Sequence, residues 1–292
     1  MSASATDSTE VADRGPPASP LLAIVTGMQH SGTTLLARLM CAHPQVEAGF
    51  ECGLLLADSP ASFREVEPFH GWMQLPVEEG HWGIPADAMP RICSAPTFQE
   101  AYELIVRYSP RFCGEARLVV DKTPAYLERL GAVLGKVPGV PCLVVEKEIV
   151  RQFYSYQKRG VKLGAFLRHD QRCRRGLGEA ARRWGERIMI VRHQDLASAP
   201  DVVMTQVFER VGLAMPPGGL HVERQFSLHL RNLGRFGGLS HPDLYSPEEE
   251  ASNALTAVSP GTRVLLRAAR LIFGFLTPRV GGTECGVRRP GG

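Results

Sequence analysis

Leu21-Leu22-Ala23-Ile24-Val25-Thr26-Gly27-Met28-Gln29-His30-Ser31-Gly32-Thr33-Thr34-Leu35-Leu36 is the stretch on which the fold turns. Its first five residues are apolar without alternation, which fits a strand buried on both faces. Gly27 to Thr34 is small and polar, and Leu35, Leu36, Leu39 and Met40 then recur at helical spacing. A strand running through such a loop into a helix has the architecture of a phosphate-binding loop. Backbone N–H groups at the helix start point at an anion, and the helix dipole favours negative charge there. Gly32 lets the backbone come close, and the Thr33 and Thr34 hydroxyls add donors. The nucleotide-triphosphatase form of the loop ends in Gly-Lys-Ser/Thr, its Lys reaching the β and γ phosphates. Thr33 stands at the Lys position here, so the loop suits a shorter anion with one phosphate and a neighbouring group.

Outward from this stretch, Leu118-Val119-Val120, Cys142-Leu143-Val144-Val145 and Ile188-Met189-Ile190-Val191 repeat the short unalternating pattern. After Pro200, Val203, Val207, Phe208 and Val211 fall at helical spacing, and Gly212 supplies a stop. Strands alternating with helices predict an α/β fold: an open parallel sheet of P-loop nucleotide-binding type, helices on both faces, in a single domain. Residues 52–117 are rich in Pro, Trp and His with weak periodicity, and read as an insertion that shapes a substrate cleft. Residues 1–19 read as disordered, 20–245 as the domain, 246–277 as a C-terminal helical segment and 278–292 as a flexible tail. There is no internal repeat.

Composition agrees. With 292 residues, 44% hydrophobic and 22% charged, the chain is long enough to bury a core without disulfide or metal staples. A net charge of +3 excludes a histone-like or tail-driven nucleic-acid binder. No apolar run reaches the 18 or so residues of a membrane span. The seven cysteines (41, 52, 93, 113, 142, 173 and 285) are odd in number, and no pair has C-x-x-C spacing. They read as reduced thiols. The first residues carry acids and no signal-peptide pattern, so the expected location is cytoplasmic.

Four segments carry a family resemblance. Ser31-Gly32-Thr33-Thr34 after a strand resembles the 5′-phosphosulfate loop of sulfotransferases, enzymes that use 3′-phosphoadenosine 5′-phosphosulfate (PAPS). The family usually has Lys or Arg before the Ser; this chain has His30. Lys147-Glu148-Ile149-Val150-Arg151-Gln152-Phe153-Tyr154-Ser155 is similar to the family's 3′-phosphate element, a basic residue at a strand end and a Ser eight positions on. Its opening departs from the usual Arg-Asp-Pro-Arg. Lys147 brings a point charge without Arg's bidentate fork. Asp121-Lys122-Thr123-Pro124 resembles the Lys-Thr-Pro segment of glycan-modifying sulfotransferases, which lies beside the sulfuryl group. Val191 to Leu196 with the helix ending at Gly212 resembles a later strand and helix of the family, and is assigned no chemistry.

The resemblance implies PAPS as co-substrate, bound by Gln29, His30, Ser31, Gly32, Thr33, Thr34, Lys147 and Ser155. The catalytic candidates it implies are Glu51, His30 and Lys122, and no metal. Sulfuryl transfer needs a general base, stabilisation of developing charge, and alignment. Glu51 closes a His43-Pro44…Gly49-Phe50-Glu51 stretch similar to that of protein-tyrosine sulfotransferases, where a Glu in this place is the base. Glu47 is its nearest rival. The acceptor expected is a small molecule or glycan hydroxyl (or amine), and no nucleic acid. A non-catalytic PAPS-binding protein and a kinase-like phosphotransferase remain as alternatives.

Weaker signals surround these. Arg168, Arg172, Arg174, Arg175, Arg182, Arg183 and Arg187 read first as a solvated helix face, second as a patch for an acidic acceptor. Arg231-Asn232-Leu233-Gly234-Arg235 stands where some sulfotransferases put a basic loop over the cofactor. The stretch 255–276 reads first as a helix packed on the domain, second as a membrane-surface helix. The scattered histidines show no paired spacing, so no metal is inferred.

Overall fold

The computed structural model describes residues 19–216, 218–220, 247–275 and 284–285. Strands β1 (Leu21–Gly27), β2 (Val46–Glu47), β3 (Leu118–Lys122), β4 (Cys142–Glu146), β5 (Ile188–Arg192) and β6 (Glu284–Cys285) form one sheet in the order β2-β3-β1-β4-β5-β6. Every pairing is parallel. The four long strands are those the sequence predicts. Strands β2 and β6 have two residues each, too short for any periodicity to reveal. Strand β6 lies within the stretch read as a loose tail, and pairs with Ile190 and Val191 of β5.

The order places the site. From β1 the chain crosses to the far edge at β2, whereas from β4 it continues the opposite way to β5. The connections from these neighbours diverge, which opens a crevice at their carboxyl ends.

Both faces of the sheet are covered, which is why its strands do not alternate. One face, with Leu22, Val25, Val120, Leu143 and Val191, packs against α1 (Thr33–Met40) and α9 (Pro200–Val211), with Leu196 of α8 (His193–Ser198) joining them. The other, with Ile24, Val119, Val144 and Ile190, packs against α5 (Leu130–Lys136) and α7 (Leu163–Trp184). Residues 52–117 belong to this second core. Their helices α2 (Phe69–Trp72), α3 (Met89–Cys93) and α4 (Phe98–Tyr108) alternate with single turns, and Leu54, Phe63, Trp82, Ile92, Tyr102 and Ile105 are fully buried there. The insertion thus forms a structural wall of this core.

Helix α6 (Ile149–Gln157) joins a third cluster with Phe166 of α7, Val258, and Leu266 of α11 (Pro260–Phe275). Helix α10 (Pro247–Ala257) precedes α11. Leu266 and the Arg270–Glu146 ion pair (3.3 Å) dock α11 on the domain, while Val264, Leu265 and Leu271 face outward. No described helix is long and apolar enough to cross a membrane.

The arginines of α7 depart from a uniformly solvated face. Arg174 pairs with the buried Asp170 at 2.9 Å, and Arg172 with Glu128 at 2.8 Å. Just after the helix, Arg187 donates to the carbonyls of Leu134, Val137 and Val140, closing the C-terminal end of α5. The Arg231–Arg235 segment lies outside the described residues.

Candidate functional site

Gly27 pairs with Val145 across β1 and β4, so the loop after β1 and the residues after β4 start side by side. Gly32 caps α1 at φ 103°, and a Cβ there would overlap the His193 ring, so only glycine fits. No side chain caps α1. Its first N–H groups therefore lack the side-chain acceptor that most helix starts carry. Ser31 Oγ is buried and has no hydrogen-bond partner. A buried hydroxyl without a partner costs about 1–3 kcal/mol, so an unfilled one marks where a ligand atom belongs.

Helix α6 braces this loop. Gln152 Nε2 donates to the Gln29 carbonyl at 2.5 Å. His30 has φ 66° and is the one non-glycine residue with positive φ among the described residues, a conformation that clusters at functional sites. Its ring meets Tyr156 edge-on at 5.4 Å. His30 keeps solvent access, yet its pKa falls to about 4, first through desolvation and then through Arg159, Lys147 and Lys158. His30 is therefore a neutral imidazole at pH 7 in the free protein, whereas a bound anion would pull toward the imidazolium.

Lys147 is buried directly after β4, its Nζ 3.4 Å from Ser155 Oγ. The spacing of eight is thus a real contact: the strand end and the second turn of α6 converge. Glu250 of α10 lies 2.5 Å from the same Nζ. Burial lowers the Lys147 pKa, and Glu250 opposes the fall. His193 opens α8 at the carboxyl end of β5 beneath Gly32, with its pKa lowered to about 3 by burial first and Lys147 second.

On the other side of β1, Lys122 is in register with Val25, and the Thr123 N–H donates to the Val25 carbonyl at 3.0 Å. Lys122 Nζ is buried, 3.7 Å from Glu51 Oε1 and 4.7 Å from the centre of the Phe50 ring. Burial pulls its pKa down, and Glu51 pushes it back. The Glu51 backbone is anchored by its neighbours: Phe50 N–H donates to the Gly80 carbonyl at 2.8 Å, and Trp82 Nε1 donates to the Phe50 carbonyl at 2.7 Å. Gly53 N–H donates to Thr123 Oγ1 at 3.1 Å. Glu47 is otherwise engaged, paired with Arg111 at 3.3 Å and accepting from its neighbour Ala48 N–H.

The predicted residues thus fall into two groups at the carboxyl end of the sheet. Gln29 to Thr34 gather with Lys147 and Ser155 around the crevice, and Glu51 pairs with Lys122 on the β3 side. His30 leans on α6, among the cations of that side. Gln152, Tyr156, His193 and Glu250 escaped sequence reading. His193 directly follows a strand end. Glu250 lies 103 residues from its partner and carries no local signal. Glu128, His169 and Cys173 also bring ligand-type atoms within 4.8 Å of one another, although Glu128 already holds Arg172.

A parallel sheet of this order, with an uncapped first helix and an unpartnered Ser31 Oγ where it begins, has the architecture of a P-loop-type α/β fold. The chain belongs to the sulfotransferase family, whose model matches residues 23–217. Among solved structures it is similar to a sulfotransferase domain from the curacin biosynthetic pathway (15% identity, TM-score 0.53, 88% of this chain and 98% of that one). It is also similar to the sulfotransferase domain of the Synechococcus PCC 7002 olefin synthase (14% identity, TM-score 0.51, 86% and 94%). Identities this low speak for the fold alone. No curated protein matches the chain. Family membership and fold support sulfotransfer as its activity.

Proposed function

We propose that this chain moves a sulfuryl group from PAPS to a hydroxyl or amine of a small-molecule or glycan acceptor, in the cytoplasm. The observation that carries the reading is the unpartnered, buried Ser31 Oγ at the uncapped start of α1. A 5′-phosphosulfate fits there by charge, by donor supply and by the close approach that Gly32 permits.

PAPS, when bound, supplies an activated sulfuryl group and leaves as adenosine 3′,5′-bisphosphate. The chain's own residues divide the remaining work. Ser31 Oγ and the N–H groups of 32–34 hold the 5′ end, with the Thr33 and Thr34 hydroxyls beside them. Lys147 Nζ and Ser155 Oγ, 3.4 Å apart, hold the 3′-phosphate. His30, neutral and fixed against Tyr156, donates one hydrogen bond to the phosphosulfate end. Glu51 takes the acceptor proton on a carboxylate oxygen. Lys122, 3.7 Å away, pairs with that carboxylate and meets negative charge developing on the sulfuryl oxygens.

Thermal shift is the first test. Adenosine 3′,5′-bisphosphate at 100 times its dissociation constant should stabilise the fold by about 2.7 kcal/mol, and ATP with Mg²⁺ should do little. The reverse result would identify a kinase-like phosphotransferase. Labelled PAPS offered with glycan, lipid and phenol pools is the second test. Tight binding with no transfer to any pool would identify a non-catalytic PAPS-binding protein.

A further inference from the structure

Lys147 is not waiting bare. Glu250 reaches its Nζ at 2.5 Å, and the two side chains are only 4% and 12% exposed. The same Nζ faces Ser155 Oγ at 3.4 Å. Ser155 is anchored in turn, donating to the Arg151 carbonyl at 3.2 Å. Lys158 and Arg151 add positive charge around Lys147. A carboxylate sits, in other words, on the cation and hydroxyl assigned above to the 3′-phosphate.

We propose that Glu250 is an internal competitor for the 3′-phosphate subsite: it occupies Lys147 in the free enzyme, is displaced by the cofactor, and returns to drive the bisphosphate product out. This rests on the reading of Lys147 and Ser155 as the 3′-phosphate cradle.

The physical logic is charge continuity. A buried ammonium without a partner is costly, so Lys147 needs an anion before the cofactor arrives and after it leaves. A carboxylate meets that need with one negative charge. A phosphate monoester brings up to about two charges and three acceptor oxygens, so it wins the exchange when it is present. Two anions crowded on one ammonium repel, which makes the exchange a swap and not a shared site. Glu250 comes from α10, which is held to the domain by buried Ala254 and by Val258 just beyond it. The carboxylate can therefore move off Lys147 while its helix stays docked. Glu250 weakens binding of both PAPS and product, and so shortens the product's residence.

Calorimetry with adenosine 3′,5′-bisphosphate and with adenosine 5′-monophosphate tests this on the wild type, Glu250→Gln, Glu250→Ala and Lys147→Ala. In both Glu250 variants the bisphosphate should bind at least about tenfold tighter, 1.4 kcal/mol, and stopped-flow release should slow by a similar factor. The monophosphate, which has nothing to place on Lys147, should bind all of the first three alike. Adding Glu250→Gln to Lys147→Ala should change nothing further. Unchanged or weaker bisphosphate binding in both Glu250 variants, with Lys147→Ala still impaired, overturns the competitor role and leaves the cradle standing. If Lys147→Ala binds the bisphosphate as well as the wild type, the cradle itself is wrong.

Discussion

Asp121 should be among the most costly residues in the chain to truncate. It is fully buried beside Lys122. Its two oxygens accept from Tyr102 OH at 2.5 Å, Tyr126 OH at 2.7 Å and Thr123 Oγ1 at 2.8 Å. Burial raises its pKa, and the three hydroxyls oppose that rise. The bonds propagate: Tyr126 OH accepts from Leu55 N–H at 3.1 Å, and Thr123 Oγ1 from Gly53 N–H. Asp121 thus ties the end of β3, where Lys122 sits, to the segment just after Glu51. Asp121→Ala leaves three buried hydroxyls without their acceptor, at about 1–3 kcal/mol each. Removal of the carboxylate's own desolvation cost offsets part of this, for a net loss of roughly 3–4 kcal/mol. At about 2–4 °C per kcal/mol for a domain of this size, the melting temperature should fall by roughly 6–16 °C. Asp121→Asn keeps one carbonyl oxygen and should lose about half as much. Calorimetry on both variants measures the effect, and a cycle with Tyr102→Phe isolates its cause. That change should cost about 1 kcal/mol in the wild type and little or nothing in Asp121→Ala, where the orphaned hydroxyl is already a liability. A melting temperature for Asp121→Ala within 2 °C or so of the wild type would refute the reasoning.

Ser31→Ala should leave thermal stability unchanged or slightly raised, because its hydroxyl has no partner in the free protein. The same variant should bind adenosine 3′,5′-bisphosphate roughly tenfold more weakly by calorimetry, the loss of about one charge-assisted hydrogen bond. His30→Ala should lose most of its turnover of PAPS while His30→Lys and His30→Arg retain some; full turnover in the alanine variant would remove His30 from the mechanism. His193, with its pKa lowered to about 3, stays neutral in the fold at pH values where the unfolded chain protonates it. Its contribution is thus complete above about pH 6.5 and lost as pH falls toward 3, amounting to about 3 kcal/mol by pH 4. Urea unfolding of wild type and His193→Asn at pH 7 and pH 4 should show a shallower acid loss in the variant.

The sheet was legible because of how it is buried. Strands covered on both faces lose their alternation, so four unalternating runs separated by helical spacing predict a doubly covered parallel sheet, and the loop after β1 sets its polarity. The site was legible where chemistry and chain position coincide. Ser31 to Thr34 stand between a strand and a helix, and Lys147 and Ser155 are joined by the pitch of one short helix, so local sequence encodes their meeting. Lys122 and Glu51 lie 71 residues apart, and only motif likeness brought them forward. Their contact depends on the wall of buried side chains from 52–117, whose irregular turns have no period to read. Glu250 marks the limit. Its residue type is ordinary for an exposed helix start, and its meaning comes wholly from a tertiary contact with Lys147. A cation predicted from sequence as a phosphate ligand is half of a statement; the other half is what neutralises it before the phosphate arrives. A charged lysine this buried is costly when unpaired, and each of the two has a carboxylate against it, Glu250 on Lys147 and Glu51 on Lys122. The two proposed roles ask different things of binding: as a base Glu51 must stay beside its lysine to take a proton, whereas as a competitor Glu250 must leave.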